Sequence, residues 1–207
     1  KTINSEIEFS GIGLHTGVIS TIKLKPSLVN SGITFIRVDL IPNIEIKAII
    51  DNVVDTKRGT TIGYDGATIH TVEHLLSAIF GLEVDNVYIE MNNIEPPILD
   101  GSSKQFIDKI LEAGIKELDS KRKYIKILEP IEYHDENHGI NIKISPANNF
   151  SITYKADFPY ESIGKQTYEL NSLSDYASNV GSARTFCSFD ELEYLKNEGL
   201  IKGANSK

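Results

Sequence analysis

Residues 67–81 read Ala67-Thr68-Ile69-His70-Thr71-Val72-Glu73-His74-Leu75-Leu76-Ser77-Ala78-Ile79-Phe80-Gly81, and this stretch decides the fold class. Val72, Leu75, Leu76 and Ile79 recur at helical spacing, which predicts a helix over 71–80 with one apolar face. Thr71 carries a hydroxyl suited to capping the first turn, and Gly81 stands where a C-terminal cap belongs. The preceding Ala67-Thr68-Ile69 is strand-like, and a strand is predicted again over 84–91. A helix set between strands, in a chain whose other early elements are short strands, points to an α+β protein.

Working outward, strands are predicted over 2–9, 18–24, 33–38 and 44–50, with Gly or Pro between them. In the second of these Val18, Ser20, Ile22 and Leu24 share one face and Ile19, Thr21 and Lys23 the other. That period of two marks a half-buried antiparallel strand. A second helix is predicted over 104–113, capped by Ser102 or Ser103, with Phe106, Ile107, Ile110 and Leu111 as its apolar face and Gly114 as its stop. The mostly charged run 116–123 has little to bury and reads as a linker. Beyond it the plan repeats, with strands over 124–128, 140–145, 150–156 and 166–170, a hairpin turn at Asn137-His138-Gly139, and helices over 173–179 and 189–197. The expectation is two similar sheet-plus-helices domains packed together, 1–118 and 123–207, with the second incomplete at its C-terminal end. The end of the chain shows neither a closing strand nor a solvating tail, which is the pattern expected of a fragment.

Composition narrows the function. The 207 residues are 40% hydrophobic and 24% charged, with 21 Lys and Arg against 29 Asp and Glu, a net charge of −8. Such a balance argues against nonspecific binding to nucleic acid or an anionic membrane surface. No apolar run approaches the length of a membrane span. The single cysteine, Cys187, excludes an intrachain disulfide and a multi-cysteine zinc site, and it is expected to be a small buried hydrophobe.

The most chemically loaded run is His70-Thr71-Val72-Glu73-His74, literally the H-x-x-E-H of inverted-zincin peptidases. That pattern needs both histidines one turn apart on one helix. Here His70 precedes the cap and ends a strand, so the peptidase reading is set aside. Glu73 and His74 remain as a pair: a metal held by His74 leaves the carboxylate beside it to take a proton from bound water. Taken alone, the two read rather as polar residues on a solvated helix face.

The runs Gly11-Ile12-Gly13-Leu14-His15-Thr16-Gly17, Thr71 through Ala78, Asp85-Asn86-Val87, Pro97-Ile98-Leu99-Asp100-Gly101-Ser102 and Ala183-Arg184-Thr185-Phe186 together resemble the signature runs of the bacterial UDP-3-O-acyl-N-acetylglucosamine deacetylases. These are zinc amidases of lipid A synthesis. The resemblance implies two domains with the active site between them, a cytoplasmic location, and removal of the N-acetyl group from a UDP-linked, 3-O-acylated glucosamine. It implies that His74 is a Zn2+ ligand, Glu73 the general base and Thr185 a hydroxyl donor to the oxyanion that develops as the amide is attacked. Leu14 and His15 match a loop bordering the cleft. Phe186, Leu192, Leu195 and Leu200 match an apolar passage for the acyl chain, although the i, i+3 spacing of Leu192 and Leu195 also suits a core-facing helix. The remaining zinc ligands are expected downstream of Lys207, so these residues alone are expected to be inactive. The rival expectation is a non-catalytic module on the same fold that holds a nucleotide sugar or acyl chain.

Weaker features remain. Lys57 and Arg58 could meet a diphosphate but suit a solvated loop. His134 and His138 suit a solvated turn, and Asp100-Gly101 reads as a turn without assigned chemistry.

Overall fold

The computed structural model describes residues 1–204; residues 205–207, the end of the predicted second domain, lie outside the described residues. The chain divides into two compact units. One comprises residues 1–120 together with 176–207, and the other residues 121–175.

The first unit is built on a five-stranded sheet. Its strands are β2 (Ile7–Ile12), β3 (Ile19–Pro26), β4 (Ile33–Arg37), β5 (Ile44–Lys47) and β9 (Val87–Met91), in the order β2-β3-β9-β4-β5. All neighbours are antiparallel except β4 and β9, which run parallel with Phe35 opposite Ile89. The predicted strand over 2–9 is broken: β1 (Thr2–Ile3) pairs instead with β10 (Ile115–Lys116). A three-stranded sheet of β6 (Val53–Asp55), β7 (Thr61–Tyr64) and β8 (Ala67–Ile69) leads into helix α1 (Glu73–Gly81). Helix α2 (Lys104–Ala113) has the predicted bounds, and Gly114 stops it with φ +80°, a conformation that costs glycine no Cβ clash.

Period and burial agree closely here. Ser20, Ile22 and Leu24 of β3 are buried, while Ile19 is exposed. Ile22 and Leu24 join Phe35, Ile89 and Met91 from the sheet, Leu75, Ala78 and Ile79 from α1, and Phe106, Ile107 and Ile110 from α2 in one core. The Phe9 and Phe106 rings meet at 4.9 Å between centroids, within the range of favourable aromatic pairs. Each fully buried large apolar side chain contributes about 1.5–3 kcal/mol.

The expected second domain over 123–207 is not the packing unit. The segment following residue 175, with helices α3 (Tyr176–Asn179) and α4 (Phe189–Asn197), belongs to the first unit. The reason is steric fit at two glycines. A Cβ on Gly81 would stand 2.1 Å from the Tyr176 ring, and one on Gly181 would stand 2.4 Å from Ile107 Cδ1, so these surfaces are in direct contact. The expected helix over 173–179 is split into a 3-10 turn, Leu173–Asp175, and α3.

The second unit contains two hairpins, β11 (Ile131–Asp135) with β12 (Ile140–Ile144) and β13 (Ile152–Asp157) with β14 (Lys165–Leu170). Gly139 takes φ +65° in the first turn, as the Asn-His-Gly sequence predicts. Ile131 faces Ile144 and Tyr133 faces Ile142 across the ladder, so one face of the hairpin is apolar, and these residues are exposed. The predicted strand over 124–128 does not form; Tyr124, Ile125 and Leu128 are exposed, and an isolated strand without a ladder partner has nothing to satisfy its backbone.

Candidate functional site

Helix α1 starts two residues later than its apolar pattern suggests, and the cause is Thr71. Its φ is +55°, a conformation that a β-branched residue adopts only under constraint. Its hydroxyl donates to Glu95 Oε1 at 2.7 Å instead of capping the helix. The N-cap position falls to Val72, which has no capping side chain and whose N–H reaches Thr60 O at 3.2 Å. Glu73 therefore occupies the first turn, where a carboxylate favours the helix dipole. Its Oε2 accepts from Thr60 N–H at 2.9 Å. A Cβ on Gly59 would lie 3.2 Å from its Oε1, so backbone passes close over the carboxylate.

His74 follows on the same turn. Burial lowers its pKa; the charges of Glu73 and Asp100 act the other way, and His15 adds to the lowering. The imidazole is thus held neutral near pH 7, the form that can accept a proton or ligate a metal. Its backbone carbonyl accepts from Ser77 Oγ at 2.9 Å and Ser103 Oγ at 3.0 Å. His70 stands apart: it lies between β8 and α1 with Nδ1 3.0 Å from Thr61 Oγ1. The two histidines do not share a helix, so the inverted-zincin arrangement is not formed.

The loop carrying Leu14 and His15 is tied down from beneath by Glu95, a residue that sequence reasoning missed. Glu95 is 0% exposed. Its carboxylate accepts from His15 N–H at 3.0 Å, Thr16 N–H at 2.8 Å, Thr16 Oγ1 at 2.6 Å and Thr71 Oγ1 at 2.7 Å. Burial pushes its pKa up, yet the donors from Thr16, His15 and Thr71 outweigh that and hold the carboxyl below its usual range. The only sequence signal was a charge inside the otherwise apolar or prolyl run Ile94-Glu95-Pro96-Pro97-Ile98-Leu99.

His15 Nε2 lies 3.1 Å from Arg58 O. A carbonyl only accepts, so Nε2 carries a proton. The ring's Nδ1 is buried without a hydrogen-bond partner. Leu14 O accepts from Gly203 N at 3.0 Å, which fastens the same loop to the segment after α4. Arg58 also bridges to Glu191 at 2.9 Å, so the loop before β7 touches both His15 and α4.

Thr185 is exposed and its N–H donates to Gly101 O at 2.9 Å. Asp100, read from sequence as a bare turn residue, accepts from Ser102 N–H at 3.1 Å and Ser102 Oγ at 2.8 Å and is among the charges felt by His74. Glu73, His74, His15 and Asp100 are thereby one electrostatic group, and Thr185 is anchored to its Asp100–Gly101 turn. Of the apolar residues, Leu195 is buried at 3% exposure, Leu192 and Leu200 are half-buried and Phe186 is exposed. Cys187 is exposed, contrary to the buried role expected.

Among the described residues no group of three or more His, Cys, Asp or Glu comes together to hold a metal ion. A catalytic zinc takes three protein ligands, so these residues by themselves do not fit the ion; His74 offers one neutral imidazole. No helix among the described residues is long and apolar enough to cross a membrane.

Comparison with known proteins gives this geometry its context. The family model described as UDP-3-O-acyl N-acetylglycosamine deacetylase matches residues 1–207. The chain is 43% identical over 206 residues to a bifunctional enzyme, LpxC/FabZ, of Chlorobaculum tepidum, covering 99% of this chain and 44% of that protein. It is 40% identical to the UDP-3-O-acyl-N-acetylglucosamine deacetylases of Aliarcobacter butzleri and Helicobacter pylori, covering 99% of this chain and 67% and 68% of theirs. The chain thus spans less than half of the bifunctional relative and about two thirds of the others. With the family model matched over residues 1–207, and Glu73, His15 and Asp100 all acting electrostatically on His74, the chain belongs to the UDP-3-O-acyl N-acetylglycosamine deacetylase family.

Proposed function

We propose that the protein removes the N-acetyl group from UDP-3-O-acyl-N-acetylglucosamine, an early step of lipid A synthesis, in the cytoplasm and with zinc. The observation that carries this reading is the pairing of Glu73 and His74 on the first turn of α1, with the Glu73 carboxylate held by Thr60 N–H. Zinc, when bound, supplies a Lewis acid that makes water a nucleophile at neutral pH. His74 would be one of its ligands, the others coming from the part of the family protein that these 207 residues do not include.

The chain's own residues account for the proton and the substrate. Glu73, with one oxygen engaged by Thr60 N–H, has the other free to take a proton from the attacking water and return it to the leaving amine. The Thr185 hydroxyl stabilises the oxyanion. Leu14 and His15 border the sugar, and Phe186, Leu192, Leu195 and Leu200 receive the acyl chain.

A binding module that retains the fold without turnover is the second reading. The deciding experiment is zinc content and deacetylation of UDP-3-O-acyl-N-acetylglucosamine by the full-length protein, with Glu73→Gln and His74→Ala alongside. The expected result is turnover with one zinc, lost with the metal in His74→Ala and reduced about 10²–10⁴-fold in Glu73→Gln with zinc retained. A zinc-free, inactive wild-type protein would establish the binding module.

A further inference from the structure

Three segments distant in sequence meet at one buried carboxylate. Glu95 accepts from His15 N–H and Thr16 N–H of the Gly13–Gly17 loop, from the Thr16 hydroxyl, and from the hydroxyl of Thr71 ahead of α1. The approach is too close for a side chain on the loop: a Cβ on Gly13 would stand 2.5 Å from Glu95 Oε2.

The second observation is independent of the hydrogen bonds. Thr71 is held at φ +55°, two residues before Glu73. Strain of this kind costs on the order of 1–3 kcal/mol and persists only where surrounding structure over-determines it. The Glu95 bond to Thr71 Oγ1, with His70 N–H on Ile94 O at 2.8 Å and Val72 N–H on Thr60 O at 3.2 Å, supplies that determination. The third is the imidazole of His15. Its Nε2 is committed to Arg58 O while its buried Nδ1 has no partner, so a ring that acts electrostatically on His74 is held with one nitrogen open by a loop whose backbone ends on Glu95.

We infer that Glu95 is a positioning residue: its carboxylate fixes the His15 loop and the start of α1 to one point, and so sets His15 Nδ1, with its tautomer, against Glu73 and His74. It touches no reacting atom and acts through His15 and Thr71. A neutral amide in its place cannot serve all these donors, because its nitrogen only donates. The loop would then shift while the core beneath α1 stays packed. The consequence for turnover rests on the deacetylase reading; the consequence for the His15 ring does not.

The test uses the full-length protein with Glu95→Gln, Glu95→Asp and Thr71→Gly, measuring kcat and KM separately and recording the ring 15N resonances of His15, assigned by their loss in His15→Gln. In the wild type the ring is expected to show the separated pair of nitrogens of an Nε2-protonated tautomer. In Glu95→Gln that pair should collapse toward averaged shifts, and kcat should fall about 10- to 100-fold, the scale of a small misplacement of a reacting group. KM should change little by comparison, and Glu95→Asp should recover part of both. A folded Glu95→Gln protein with unaltered His15 nitrogens, or with kcat within about twofold of wild type, overturns the inference. Should Glu95→Gln not fold, Thr71→Gly removes one arm of the clamp while tolerating the positive φ, and unchanged His15 nitrogens with unchanged kcat overturn it equally. A wild-type protein without deacetylase activity sinks the proposed function, and the His15 spectrum still decides the role of Glu95.

Discussion

Replacing Gly81 with Ala tests the least expected feature of the fold, the packing of the segment after residue 175 on α1. An added Cβ would stand 2.1 Å from Tyr176 Cδ1 and 2.6 Å from Cε1 and Cγ. These atoms belong to the near edge of a rigid ring, so the whole side chain must swing. Overpacking of this kind costs about 1–3 kcal/mol. The swing also removes the bond from Tyr176 Oη to Ser103 Oγ, 3.2 Å long, worth about 1 kcal/mol. Against this, Ala gains up to about 1 kcal/mol over Gly within a helix. The net expectation is a loss of roughly 1–3 kcal/mol. A double-mutant cycle with Tyr176→Ala isolates the clash, since removing the ring makes room for the methyl. The double variant should be less destabilised than the sum of the singles by about 1–3 kcal/mol. Urea unfolding of the full-length protein, read by circular dichroism at constant m, supplies the numbers. Strict additivity, or a Gly81→Ala protein as stable as wild type, would refute the packing argument.

Two further outcomes follow from local geometry and charge. Ser188 caps α4 in a reciprocal box, its Oγ accepting from Glu191 N–H at 3.3 Å while its own N–H donates to Glu191 Oε2 at 3.2 Å; Ser188→Ala should lower stability by about 1 kcal/mol and Tm by about 2–4 °C, and an unchanged melting curve would contradict the cap. Glu95 has a depressed carboxyl pKa in the folded protein, so its ionisation stabilises the fold above the unfolded-state value near 4.3, and this is lost as pH falls through the lower folded value. The stability gap between wild type and Glu95→Gln should therefore be constant above about pH 5 and shrink toward pH 3; urea titrations showing a flat gap across that range would refute it.

The amphipathic helices were legible in sequence because their periodicity is written within a few residues. The bounds of α2 follow from its apolar spacing and the Gly114 stop, although Ser103 at the N-cap makes no side-chain capping bond. The inward face of β3, Ser20, Ile22 and Leu24, follows from a period of two. Glu73 and His74 drew notice by residue type and adjacency, but only the surrounding runs gave the pair a role. Their surroundings could not be read in this way, since Thr60 reaches Glu73, and Arg58 and Glu95 reach the His15 loop, only through loops whose register depends on the folded sheet. Thr71 shows the limit most clearly: its residue type and place say N-cap, and its hydroxyl turns instead to a buried carboxylate with the backbone at φ +55°. Likewise a charged linker at 116–123 implied a second domain through to the end, whereas the fit of Tyr176 to Gly81 and of Ile107 to Gly181 brings the last segment back to the first unit. Sequence alone determined the longer amphipathic helices and the half-buried face of β3, because those depend on near neighbours. Tertiary structure decided which loops meet and which polar groups pair, because a buried charge takes whichever donors the folded chain brings within reach, and their distance along the sequence carries no energy of its own.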